Sequence, residues 1–108
     1  MDLVRVGPMR HRVKIQQATE TQTASGKVSR AWTDCGTVWA AVEPLTGREA
    51  VQAQQINPLL SHTVRIRYWD GLTTKYRFVF DGRTLNIGSI IDPDERHREM
   101  RCLCTEQL

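Results

Sequence analysis

The sequence predicts a mainly β protein: a small antiparallel β-barrel or sandwich of about six strands, with one short helix in the loop after the second strand region. Three observations predict it. Apolar and polar residues alternate with period two through several short runs. Turn signals such as Ser25-Gly26, Asp70-Gly71 and Asp81-Gly82 separate those runs. A single stretch, from Glu43 to Pro58, replaces the alternation with good helix formers.

The first run, Arg10 to Gln17, sets Val13 and Ile15 on one face and Arg12, Lys14 and Gln16 on the other, as a half-buried strand does. Ala18 to Lys27 is polar and ends in a hairpin turn at Ser25-Gly26. Val28 to Val42 carries Trp32, Val38, Trp39 and Val42, with Asp34-Cys35-Gly36 in its middle. It is either two strands or one bulged strand, and Gly36 is the natural place for the bulge. Pro44 stops it. Arg48 to Ile56 then predicts a helix of about two to three turns, closed by Pro58. Thr46 and Glu49 have the spacing of a capping box. The apolar content of this helix is thin, so it is the element expected to need a neighbour.

His62 to Trp69 returns to alternation, with Val64, Ile66 and Tyr68 on one face and Arg65 and Arg67 on the other. Tyr76, Phe78 and Phe80 align on the next strand, which Asp81-Gly82 joins to Arg83–Ile87 in the strongest hairpin signal of the chain. Ser89 to Ile91 extends that strand beyond Gly88. Asp92 to Arg96 is a polar turn with proline at its second position. The final run, Arg98 to Cys104, puts Met100, Cys102 and Cys104 on one face.

All 108 residues fit a single domain, with Met1 to Pro8 expected to be a flexible N-terminal segment. Hydrophobic residues at 40% and charged residues at 25% are ordinary for a folded soluble domain. No apolar run reaches the ~20 residues of a membrane span, and the N-terminus lacks the apolar core of a secretory signal, so a cytoplasmic site of synthesis is expected. The net charge of +3 is spread in alternating blocks: +4 over 1–30, −2 over 31–60, +3 over 61–90 and −2 thereafter. That pattern suits packing of copies side by side at least as well as binding of nucleic acid.

The residues offer no catalytic constellation. The cysteines are Cys35, Cys102 and Cys104, an odd count without the paired spacing of a zinc site, so they are expected to be free thiols. His11, His62 and His97 are separate in sequence and make no metal-binding motif. Gly88-Ser89 is not part of a G-x-S-x-G elbow, and no phosphate-binding glycine loop occurs. Asp92, Asp94 and Glu95 form an acidic turn that Arg96 and Arg98 neutralise. Arg65 and Arg67, with Trp69 in line after them, have the composition of a single-strand nucleic-acid platform, and a small β-barrel nucleic-acid-binding protein is the alternative function. A solvent face or subunit interface is the simpler account of the same residues. No enzyme, cofactor or metal is expected.

Several segments together resemble the head–tail joining (head-closure) proteins of tailed bacteriophages. Met9-Arg10-His11-Arg12-Val13-Lys14-Ile15-Gln16 is similar to their opening strand. Gly26, Trp32 and Thr37-Val38-Trp39-Ala40-Ala41-Val42-Glu43-Pro44-Leu45-Thr46-Gly47-Arg48-Glu49 resemble their central motif. His62 to Tyr68, Asp81-Gly82-Arg83 and Ile90 to Arg96 complete a match from about Met9 to Leu103. The resemblance implies a virion protein, assembled in the host bacterial cytoplasm as a ring beneath the portal. It would join the portal or adaptor ring to tail proteins and help retain the double-stranded DNA that passes through. Carried over by position, the loop and helix from Glu43 to Pro58 would make the subunit or portal contacts, with Glu43, Arg48, Glu49, Gln52 and Gln55 as the polar members.

Overall fold

The computed structural model describes residues 9–92 and 95–107. Met1 to Pro8, and Pro93-Asp94 of the predicted acidic turn, lie outside the described residues. Six strands and one helix follow in the order β1 (His11–Gln22), β2 (Val28–Pro44), α1 (Gly47–Ile56), β3 (His62–Arg67), β4 (Tyr76–Phe80), β5 (Arg83–Ile91) and β6 (Glu99–Gln107). All strand pairs are antiparallel, and the sheet closes as a barrel in the order β1-β2-β3-β6-β5-β4, with β4 returning to β1 from Lys14–Val79 to Gln17–Tyr76. Closure pairs the strand edges of the barrel wall with one another.

The alternation read from the sequence sorts the two faces. Val13, Ile15, Val64, Ile66, Phe78, Leu85, Cys102 and Cys104 are fully buried, and Phe80, Ile87 and Met100 join them in one core. The Asp81-Gly82 hairpin has both central residues at positive φ, +48° and +74°, the backbone that matches the twist of its strands. β2 is one bulged strand: Ile15 pairs with Gly36 but Gln16 pairs with Asp34, which leaves Cys35 as the extra residue. β5 has a second bulge at Gly88, between the pairs Ile87–Cys104 and Ser89–Leu103.

The pairing of β1 with β2 runs farther than the polar sequence suggests. Strand pairing continues to Gln22–Val28, although β1 meets β4 only as far as Gln17 and β2 meets β3 only from Ala40 onward. The outer part is therefore a two-stranded arm with solvent on both faces. It is closed by Thr23 N–H to Lys27 O at 2.8 Å and tied by the cross-strand Glu20–Arg30 ion pair at 3.0 Å. The arm accounts for a molecule 56 Å long and 29 by 28 Å across. The radius of gyration of 15.0 Å exceeds the roughly 13 Å of a spherical domain of this length.

Candidate functional site

Pro44 ends β2, and Leu45 N–H donates to Ser61 O at 2.9 Å, pinching the base of a loop that contains α1. Gly47, at φ +58°, begins the helix after an extended Thr46. Thr46 holds the N-cap position, yet its side chain makes no capping hydrogen bond. The expected capping box is not formed, and Glu49 contributes through its charge at the positive end of the helix dipole. At the other end Asn57 N–H donates to Ala53 O at 3.1 Å, and the Gln54 amide donates to Leu60 O at 3.1 Å. Leu60 anchors the loop: it is buried, and a Cβ on Gly88 would come within 3.0 Å of its Cδ2. The returning limb thus leans on β5 and β6, where Ser61 N–H also reaches Cys104 O at 2.9 Å.

No residue of α1 is buried. Ala50, Ala53 and Asn57 form its half-covered side, at helical spacing. Glu43, Arg48, Glu49, Gln52 and Gln55 are all exposed, Glu43 on the end of β2 and the other four on the helix. The apolar residues beside them are exposed too: Ile56 at 89%, Leu59 at 71% and Val51 at 59%. Three aliphatic side chains of one loop are thus left in water.

Arg65, Arg67 and Trp69 do not form one exposed platform. Arg65 is buried and paired with Glu99 at 3.0 Å. Trp69 lies beyond the end of β3 and is half-buried against the core, with its ring over Gly36. Arg67 alone of the three is exposed, and its aromatic neighbour is Trp39. Arg67, Trp39 and Met9 line an open cleft of about 310 Å3, and the Arg12 guanidinium lies 4.9 Å from the Trp39 ring centre.

The sequence pattern assigned Trp39 no role because the Cys35 bulge changes the phase of β2. Before it, the even-numbered Trp32 faces outward opposite Ala18; after it, Val38 and Ala40 face inward and the odd-numbered Trp39 faces outward. One extra residue therefore puts both tryptophans on the outer wall, each with an arginine over it: Arg77 at 3.9 Å from Trp32 and Arg12 over Trp39.

The three histidines are dispersed. His11 meets Phe80 at 5.4 Å between centroids and His97 stacks on Tyr68 at 4.6 Å. His62 belongs to a cluster at the loop base. Arg83 grips Glu106 with two bonds of 2.9 Å and donates to His62 Nε2 at 3.2 Å. Since arginine only donates, Nε2 accepts and Nδ1 carries the proton, which it gives to Ser61 Oγ at 2.8 Å. Ser61 Oγ also accepts the Glu106 N–H at 3.1 Å. His62 therefore holds Ser61 as a donor and takes no proton from it, so the pair clamps the loop to β5 and β6 rather than activating a nucleophile. Burial holds the His62 pKa below its usual value, with Arg83 adding to the effect and Glu106 opposing it. The hydrogen bonds from Arg83 hold the Glu106 carboxyl below its usual value. Burial pushes the Cys102 thiol up to about 12 and Cys104 higher still. Among the described residues no group of three His, Cys, Asp or Glu is placed to hold a metal, and no helix is long and apolar enough to cross a membrane.

The chain matches the family model described as phage head completion protein over residues 4–107. Among solved structures it is similar to protein SF1141 from Shigella flexneri 2a, at 28% identity and a TM-score of 0.78, covering 95% of this chain and 96% of that one. It is also similar to a chain in the virion of a native gene transfer agent particle, at 16% identity and a TM-score of 0.65, covering 94% and 98%, a likeness of fold alone. No curated protein sequence matches. A match over nearly the whole length, on a six-stranded barrel with one exposed helix, establishes that the chain belongs to the phage head completion protein family, as a structural protein of the virion.

Proposed function

We propose that this protein is a non-enzymatic subunit of the head–tail connector. Copies assemble as a ring between portal and tail, join the two, and help retain the packaged double-stranded DNA. The ring forms in the cytoplasm of the bacterial host and remains in the virion. The observation that carries this reading is α1, a helix that buries nothing of its own and exposes Ile56, Val51 and, just beyond it, Leu59. Fully covering each such side chain is worth about 1.5–3 kcal/mol, so a neighbour that covers this loop gains several kcal/mol that the lone subunit lacks. Glu43, Arg48, Glu49, Gln52 and Gln55 are the polar contacts of that interface and set its register, while the aliphatic residues supply affinity.

The test is the double substitution Arg48→Ala with Glu49→Ala. Both side chains are exposed, so the barrel is expected to fold as before by circular dichroism. The yield of tailed, DNA-filled particles is expected to fall. Normal yield from the double variant would remove the loop from the interface.

A further inference from the structure

We infer that the face formed by Arg12, Trp39 and Arg67 is the receptor for α1 of a second copy of this chain. The inference rests on the connector reading for α1 as a contact element and goes beyond it by naming the surface that receives it. Trp39 is 53% exposed, a large side chain to leave in water, with the Arg12 guanidinium over its ring and Arg67 lining the same cleft. Arg12 is its cross-strand partner on β1. Arg67 follows Ile66, the last β3 residue paired with β2. Among the described residues neither arginine has a carboxylate partner, whereas Lys14, Arg30, Arg65 and Arg83 all do. An exposed tryptophan ringed by arginines with unspent charge, beside an open cleft, has the composition of an interface hot spot.

The complement is on the same chain. Glu49, Gln52 and Ile56 occur at i, i+3 and i+7 and so share one side of α1. Among the described residues Glu49 has no ion-pair partner either. At 1.5 Å per residue, Glu49 and Ile56 are ~10 Å apart along the helix. Strands ~4.8 Å apart place Arg12 and Arg67 a similar distance from each other, with the indole between them. A helix laid across the strands sets its carboxylate against a guanidinium and its isoleucine in the Met9–Trp39 cleft. Helix and face are also on different sides of the barrel. The loop returns over β5 and β6, through Leu60 and Asn57 at Gly88, while the face belongs to β1, β2 and β3. Two different, complementary surfaces on one chain make a heterologous contact, which repeats from copy to copy and closes when its rotation allows.

Charge exchange in particle assembly tests this, in cells that produce the full set of virion proteins. Glu49→Arg alone, and Arg12→Glu with Arg67→Glu, are each expected to lower the yield of tailed particles by at least about tenfold. The triple variant is expected to recover most of it. A photo-crosslinking residue at position 39 is expected to capture residues 47–56 of another copy. If Glu49→Arg abolishes assembly while the arginine reversals are silent, or position 39 captures a different virion protein, the inference is overturned and the connector reading stands. If all the charge variants assemble normally and position 39 captures nothing, both fall.

Discussion

Gly36 occupies the bulge of β2 at φ +153°, and a Cβ there would lie 2.8 Å from Cη2 of Trp69 and 3.5 Å from Cζ3. Carbon atoms rest at about 3.5–4.0 Å, so the indole would have to retreat by roughly 0.7 Å or more. It has little room to do so. The ring packs on the core, and its own backbone N–H is held by Met100 Sδ at 3.2 Å. Overpacking of this kind costs about 1–3 kcal/mol, and a non-glycine residue at such a φ adds about 1–3 kcal/mol. Gly36→Ala is therefore expected to cost about 3 kcal/mol. At roughly 4–6 °C per kcal/mol for a domain of this size, the thermal midpoint should fall by about 12–18 °C, measured by circular dichroism. The two contributions separate in a cycle with Trp69→Ala. In that background the clash is gone and only the backbone cost remains, so the coupling should be about 1–3 kcal/mol. A Gly36→Ala cost below about 0.5 kcal/mol would refute the argument, as would an equal cost in both backgrounds.

Two further outcomes are expected. In the native protein at pH 8 a thiol reagent should titrate Cys35 alone, since Cys102 and Cys104 are buried with thiolates disfavoured, and all three once denatured; three fast thiols in the native state would contradict the burial. Stability should be at its plateau above pH 6.5 and decline as pH falls below it, because the unfolded chain protonates His62 at its ordinary pKa and the native clamp resists. A second decline should follow below pH 4.5, where the unfolded chain protonates Glu106 while the Arg83-bonded native carboxylate resists. Urea midpoints at pH 7.5, 5.5 and 4.0 check both, and His62→Gln should flatten the first step; identical midpoints would rule out the clamp.

What the sequence discloses is what a local period can carry. The inward rows Val13–Ile15, Val64–Ile66, Phe78–Phe80 and Cys102–Cys104, the Asp81-Gly82 turn and the Gly36 bulge all follow from alternation and turn chemistry, and all are present. The arm is hidden because no core lies beneath Thr19 to Ala31, so both faces are polar and nothing marks its strands. Arg65 and Arg67 do share a face, but the partner that neutralises Arg65 is Glu99, on the adjacent strand β6 opposite Arg67, a neighbour that no spacing announces. Trp69 falls out of line because β3 ends at Arg67 and the chain turns inward. Trp39 is hidden for the opposite reason: its strand continues, and a bulged residue reverses its phase.

That reversal ties the core of the barrel to its outer face. β2 begins in the arm, carries Trp39 on the outer wall, and ends at Pro44, shortly before α1, so one strand runs from the arm past Trp39 to the helix loop. Neither the arm nor the helix contributes a residue to the core, which is drawn from the barrel strands and Leu72. Their surfaces can therefore be altered without loss of the fold, and assembly variants in α1 should stay folded. The bulge is the exception. A β2 shortened by one residue at Cys35 would keep either Trp32 outside, or Trp39 outside with Val38 and Ala40 inside, but not both. Burial of Val38, Ala40 and Val42 against the core would decide for neither tryptophan's convenience: Trp32 would turn over and leave Arg77. The extra residue is thus what lets a single strand serve a closed core and an outer face with two arginine-capped tryptophans at once.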